Sequence, residues 1–263
     1  MIGPTINIGN GVLMPLINLG HPDNSTLNET ASLELWLSSA VNGSGVDTAL
    51  DYLNQQQVGK AIRASKRSRD SIFLLTKIPN IFSAEDTLKY IKEDVSQLGM
   101  TPDLILIHSP CYKGFPHGGC KHASSEDIKN AWEGMESALQ QGLTRSIGVS
   151  NFLAGDIQPI LDIGGNISVN QCEMYVGNHD DTTRQFCQTN GIVYESYAPL
   201  GRGEVDVHDP RIQNIAEAHP GKSGYQVVLR WIIQLGCPMA ISATKLSHDL
   251  SDLDIFNFKL TFF

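Results

Sequence analysis

Ile72-Phe73-Leu74-Leu75-Thr76-Lys77 is followed by an amphipathic stretch from Ala84 to Leu98 and then by Leu104-Ile105-Leu106-Ile107-His108. The two outer segments are short, continuously apolar runs, the pattern of strands buried on both faces. The middle segment sets Leu88, Ile91, Val95 and Leu98 along one face of a helix. Strand, helix and strand in that order make a βα unit feeding a parallel sheet, and the same alternation fills the chain. Strands are predicted at Leu16 to Leu19, Gly45 to Asp47, Ile72 to Lys77 and Leu104 to His108. Four more follow at Arg145 to Val149, Ser168 to Glu173, Ile192 to Tyr197 and Met239 to Ser242. Helical patterns such as Glu126 to Gln140 separate them. Eight strands alternating with helices, with no Pro/Gly/Ser-rich linker between them, predict one (β/α)8 barrel domain over residues 1–263. Upstream, Thr5 to Ile8 and Val12 to Met14 flank Gly9-Asn10-Gly11, a hairpin turn, and this hairpin is expected to plug the barrel bottom.

Composition narrows the function. The 263 residues carry 28 acidic against 19 basic side chains, a net charge of -9. A nucleic-acid partner is not expected, because binding phosphates draws on clustered Lys and Arg. No segment approaches the ~20 apolar residues of a membrane span. Met1 to Gly20 has neither the charged start nor the unbroken apolar core of a secretory leader, so a cytoplasmic protein is expected. The five cysteines (Cys111, Cys120, Cys172, Cys187 and Cys237) are odd in number and thinly spread, and reduced thiols are expected. Cys111, Cys120 and His122 share a loop, but their spacing fits no common zinc frame and a fourth ligand is missing, so no metal is assigned. Gly221-Lys222-Ser223 resembles the end of a phosphate loop, but Ala216 stands where the first glycine is needed, and the tripeptide is predicted to be a turn between helices. No G-x-G-x-x-G fingerprint occurs. Two long connections, Ser109 to Ser124 and Ala198 to Asp209, open at the carboxyl ends of strands, the catalytic face of a barrel. They fit equally a pair of lids or loose insertions.

Three polar residues close apolar strands: Asp47, Lys77 and His108, with Tyr52 five residues beyond Asp47. Burying an ionised Asp or Lys is costly without a partner, so three such residues on successive strands imply a shared polar pocket. An internal salt bridge without chemistry is the other reading of that pattern.

Asp47-Thr48-Ala49-Leu50-Asp51-Tyr52-Leu53-Asn54, Val58-Gly59-Lys60-Ala61-Ile62, Thr76-Lys77 and Leu106-Ile107-His108-Ser109-Pro110 together resemble the aldo-keto reductase superfamily. Arg145-Ser146-Ile147-Gly148-Val149-Ser150-Asn151-Phe152, Asn170-Gln171-x-Glu173, Tyr197-Ala198-Pro199-Leu200-Gly201 and Gln226-Val227-Val228-Leu229-Arg230-Trp231 follow in the family's order. The resemblance covers nearly the whole chain. It implies reduction of an aldehyde or ketone by NADPH lying across the barrel mouth. By this likeness Tyr52 is the general acid, Lys77 the cation that favours its ionised form, Asp47 the partner that holds Lys77, and His108 the donor that orients the carbonyl. Ser150, Asn151 and Gln171 match residues that hydrogen-bond the nicotinamide carboxamide, Tyr197 matches the ring that stacks on the nicotinamide, and Leu200 falls in the loop over the pyrophosphate.

The chain also departs from the family pattern. Ser242 and His248 stand where Lys and Arg usually hold the adenosine 2'-phosphate, a loss of about 2–4 kcal/mol of charge-assisted contact that admits NADH beside NADPH. Lys245 compensates only if its loop shifts. His21-Pro22, Pro79 and Ser109 replace aromatic pocket residues, which predicts a wider or more polar substrate site, refilled in part by Tyr112, Phe115 or His117. The chain stops at Phe258-Lys259-Leu260-Thr261-Phe262-Phe263, where the family continues into a helix and a tail. The expected partner is a small carbonyl compound, with a monomer or weak homo-oligomer as the assembly. The alternative is a nicotinamide-binding regulatory paralogue with little turnover.

Overall fold

The structure, a computed structural model, describes residues 3–20, 28–113 and 119–261. The chain opens with an antiparallel hairpin, β1 (Thr5–Asn7) and β2 (Leu13–Pro15). Barrel strands β3 (Ile17–Gly20), β4 (Gly45–Asp47), β5 (Phe73–Ile78) and β6 (Leu104–Ile107) follow. A small antiparallel pair, β7 (Cys111–Lys113) and β8 (Lys121–His122), stands outside the barrel. The barrel resumes with β9 (Ser146–Ser150), β10 (Val169–Glu173), β11 (Val193–Tyr197) and β12 (Met239–Ile241). Among the described residues these eight parallel strands close on themselves in chain order, with β12 paired to β3 through Met239 opposite Ile17 and Ile241 opposite Leu19. The helices between and after them are α1 (Asn28–Leu37), α2 (Gln55–Ala64), α3 (Ala84–Leu98), α4 (Ser125–Gln140), α5 (Ala154–Asp162), α6 (Asp181–Thr189), α7 (Pro210–Glu217), α8 (Gly224–Gln234) and α9 (Leu246–Leu253). All eight predicted strands are present, with no end displaced by more than one residue.

Local chemistry sets the helix ends. Ser83 accepts a hydrogen bond from the Asp86 amide to start α3, and Gly99, at φ +65°, stops it in the left-handed conformation that costs glycine little. Ser223 caps α8 reciprocally with Gln226, so Gly221-Lys222-Ser223 is the turn between α7 and α8 that the sequence predicts.

Strand alternation then sorts the side chains. Residues two apart share a face, so Phe73 and Leu75 of β5, Leu104 and Leu106 of β6 and Val169 of β10 point into the barrel. There they pack with Ile8, Val12 and Met14, which closes the barrel bottom with the hairpin. The outward set, including Leu74, Ile78, Ile105, Ile107 and Val149, packs under the helices with Trp36, Trp132 and Phe152. Continuing the inward row by one step along each strand brings Lys77 and His108 to the upper mouth. Apolar residues of the hairpin and strands thus fill the lower half, and the polar residues stand above them.

One expectation is corrected. Cys111 and Cys120 form a disulfide with Cα atoms 5.6 Å apart, while Cys172, Cys187 and Cys237 are buried free thiols. Counting cysteines along the chain could not reveal this pair, because the contact is made by the β7–β8 hairpin, which turns the loop back with Cys111 opposite His122. The two sulfurs are spent on each other and are not metal ligands, and His122 is paired with Asp156 at 3.0 Å. The expectation of reduced thiols therefore holds for Cys172, Cys187 and Cys237 and fails for Cys111 and Cys120. Among the described residues no helix is long and apolar enough to cross a membrane. Phe115 and His117 of the same loop, and His21-Pro22 after β3, lie outside the described residues.

Candidate active site

Asp47 ends β4, and a short 3-10 turn, Leu50–Tyr52, follows at once and closes on Leu53 in the left-handed region at φ +59°. That turn swings Tyr52 back over the barrel mouth. Lys77, on β5, donates to Asp47 Oδ1 and to the Thr48 carbonyl at 3.3 Å, and both charged side chains are sealed from water at 2% and 3% exposure. Its Nζ lies 5.4 Å from the Tyr52 ring centroid. His108 follows β6 and meets the Tyr52 ring edge-on at 5.6 Å, with Nε2 3.5 Å from the phenol oxygen. The four side chains named from the sequence therefore converge, although their positions span residues 47 to 108.

Charges at the mouth oppose one another. Burial alone would drive the Lys77 ammonium toward neutrality, but Asp47, Tyr52 and Glu195 outweigh it and its pKa is raised. The Tyr52 phenol ends above its usual value, because burial raises it and Asp47 and Asp51 add to that, against the lowering by Lys77. Lys77 thus acts in the expected direction without winning outright. Burial depresses the His108 pKa, against the pull of Asp51.

A second polar layer supports the first. Gln171 of β10 donates one amide hydrogen to Asp47 Oδ2 at 2.6 Å and the other to Glu195 Oε2 at 2.7 Å, while Asn18 of β3 donates to Glu195 Oε1 at 2.8 Å. Glu195 is completely buried. Burial, then repulsion from Asp47, pushes its carboxyl well above the usual range despite the donors from Gln171 and Asn18 and the attraction of Lys77. Asn151, held at φ +62°, donates to the His108 carbonyl at 2.9 Å and accepts from the Tyr197 hydroxyl at 2.8 Å.

These groups face one cavity of about 1010 Å³. Asp47, Tyr52, Lys77, His108, Asn151, Gln171, Tyr197, Leu200 and Ser242 line it. Ser150 and His248 do not: the Ser150 hydroxyl is buried and donates to the Gln171 carbonyl at 2.8 Å, and His248 is exposed on α9. Asp51, Arg202, Gly203 and Asp252 are among the lining residues that no motif had assigned. Asp51 stood inside the first quoted motif, adjacent to Tyr52, and Arg202 just beyond the motif that ends at Gly201. The Arg202 guanidinium lies 5.8 Å from the Tyr197 ring and pairs with Glu173 at 2.7 Å. Asp252 also lines the cavity, and its carboxyl is raised to about 7 by burial and by Asp249. Gly203 lines the cavity from the same loop as Arg202.

The residues present fit a nicotinamide dinucleotide. The cavity has the volume of a large ligand, a flat ring at Tyr197, a cation at Arg202 for a diphosphate, and Gln171, whose two amide hydrogens are committed and whose carbonyl oxygen is left to accept from a carboxamide.

The sequence profile of the Aldo/keto reductase family matches residues 23–262. Morphine 6-dehydrogenase of Pseudomonas putida is 32% identical, covering 98% of this chain and 88% of its own length. Among solved structures, an aldo/keto reductase of Brucella melitensis superposes with a TM-score of 0.88 at 31% identity, over 99% of this chain and 95% of that one. An aldo-keto reductase of Bombyx mori in complex with NADP superposes at 0.87 and 26% identity, over 99% and 90%. The chain belongs to the aldo/keto reductase family, whose members are NAD(P)H-dependent oxidoreductases.

Proposed function

We propose that this protein reduces an aldehyde or ketone to the alcohol, with Tyr52 as proton donor. The observation that carries the reading is the placement of the Tyr52 hydroxyl at the cavity wall, between His108 Nε2 and the buried Lys77–Asp47 pair. A bound nicotinamide supplies the hydride. As the carbonyl oxygen gains negative charge, Tyr52 delivers its hydroxyl proton to it, and Lys77 stabilises the phenolate left behind. Asp47 holds the ammonium in place, so that its charge faces Tyr52 without solvent screening. Asn151 and the Gln171 carbonyl would orient the carboxamide, with Ser150 behind them as a support, and the Tyr197 ring would flank the nicotinamide.

Cofactor choice follows from the polar residues of the lining. Ser242 offers a neutral hydroxyl and Asp252 an acid, and neither is a charge-assisted receptor for a 2'-phosphate. NADH is therefore accepted beside NADPH. The test is carbonyl-dependent oxidation of both cofactors, followed by absorbance over a panel of aldehydes, ketones and quinones. Oxidation lost in Tyr52→Phe by at least ~10²-fold, with cofactor affinity little changed, supports the assignment. A near-normal rate in that variant would remove Tyr52 from the role. Cofactor binding without any carbonyl-dependent oxidation would favour the regulatory reading, in keeping with the raised pKa of Tyr52.

A further inference from the structure

Two neighbouring residues of the 3-10 turn after β4 reach the same imidazole from opposite sides. Asp51 Oδ1 lies 3.1 Å from His108 Nδ1, and the Tyr52 hydroxyl lies 3.5 Å from Nε2. The Asp51 side chain is 27% exposed and lines the cavity, and that of His108 is 9% exposed. A neutral imidazole carries one hydrogen, and an ionised carboxylate only accepts. The nitrogen facing Asp51 must then be the one that bears the hydrogen.

We propose that Asp51 is a positioning residue that holds His108 in the Nδ1–H form, so that Nε2 of the neutral ring accepts from Tyr52 and only the imidazolium donates to a substrate carbonyl. A ring that orients a carbonyl through Nε2–H would otherwise do so in its neutral state. Here the neutral ring competes with the substrate for the one Tyr52 hydrogen, and protonation of the ring releases that hydrogen and adds a donor at Nε2.

The surrounding charges act on this switch from three elements. Asp51 and Tyr52 come from the turn, Asp47 from β4 and Lys77 from β5. Asp51 and Asp47 favour the imidazolium; burial, the largest influence, and Lys77 oppose it. On the Asp51 side, burial raises the carboxyl pKa, but the hydrogen bond and charge of His108, with Lys77, bring it below the ordinary value. At neutral pH the pair is therefore an ionised Asp51 and a neutral His108, the state in which the tautomer decides what Nε2 can do. Reduction should then slow as pH rises through the His108 titration.

The catalytic consequence rests on the function proposed above; the tautomer does not. Two-bond proton–nitrogen NMR on protein labelled with ¹⁵N-histidine reads the tautomer directly, and the signal missing in His108→Gln identifies this ring among the eight histidines. The expected result is Nδ1–H in the native protein and a shift toward Nε2–H in Asp51→Ala. In Asp51→Asn, which keeps the side-chain volume, the His108 titration moves to lower pH because the carboxylate charge is gone. In a protein that reduces carbonyls, the native kcat/KM falls at least ~10-fold across that titration and the fall is flattened in Asp51→Ala. Nε2–H in the native protein, or a His108 titration unchanged in both Asp51 variants, overturns the proposal. A native Nδ1–H ring in a protein that reduces no carbonyl would leave Asp51 in place and reject the function.

Discussion

Lys77 and Asp47 form an ion pair across adjacent strands with almost no contact with water. Such a pair offsets the cost of burying two charges only while both partners are present. Asp47→Ala or Lys77→Met alone should therefore destabilise the fold by ~3–5 kcal/mol, because each leaves an uncompensated buried charge. The double variant should lose clearly less than the sum of the two. Urea unfolding of the four proteins measures the coupling, and strict additivity would show that the two charges do not depend on each other.

Outside the site, Asp94 of α3 is buried against Thr76 of β5, which donates to it at 2.7 Å, and against Gln55 of α2. Burial raises its carboxyl to about 7 despite those donors. The folded state thus holds a proton that the unfolded chain gives up near ~4, so this stability is present at low pH and is lost as pH rises through the window to about 7. Asp94→Asn should gain on the native protein by ~1.4 kcal/mol per pH unit across that window. Unfolding curves at its two ends test this, and a constant difference between the two proteins would rule it out.

Cofactor selection should respond to charge at Ser242, which lines the cavity. Ser242→Lys with Ala243→Ser is expected to tighten NADPH by at least ~10-fold and leave NADH unchanged. Cofactor titration by protein fluorescence provides the measurement. Equal tightening of both cofactors would mean that the 2'-phosphate is not received there.

Thiol counting tests the Cys111–Cys120 bond. In denaturant without reductant the chain should present the three thiols of Cys172, Cys187 and Cys237, and all five cysteines after reduction. Closing so short a loop is worth about 2–3 kcal/mol, which Cys111→Ser with Cys120→Ser should lose. Five reactive thiols before reduction would show that the bond does not form.

The barrel, its hairpin plug and the positions of Asp47, Lys77 and His108 were legible in the chain because they depend on periodicity. A residue two places beyond an inward Leu75 or Leu106 is itself inward, so strand pattern alone carries Lys77 and His108 to the mouth. Tyr52 was found by motif, since the turn that aims it obeys no period. Contacts closed by the tertiary fold left no such trace. Glu195 meets Asn18 from 177 residues away, and Gln171 meets Asp47 from 124. Asp51 stood unassigned inside a motif, and β6 sets His108 beside it, 57 residues on. Cys120 became the partner of Cys111 only when a hairpin folded their loop back. Sequence determined which way each side chain points, because that is local backbone geometry; tertiary structure decided which charges and donors share a space, because that depends on how the barrel closes.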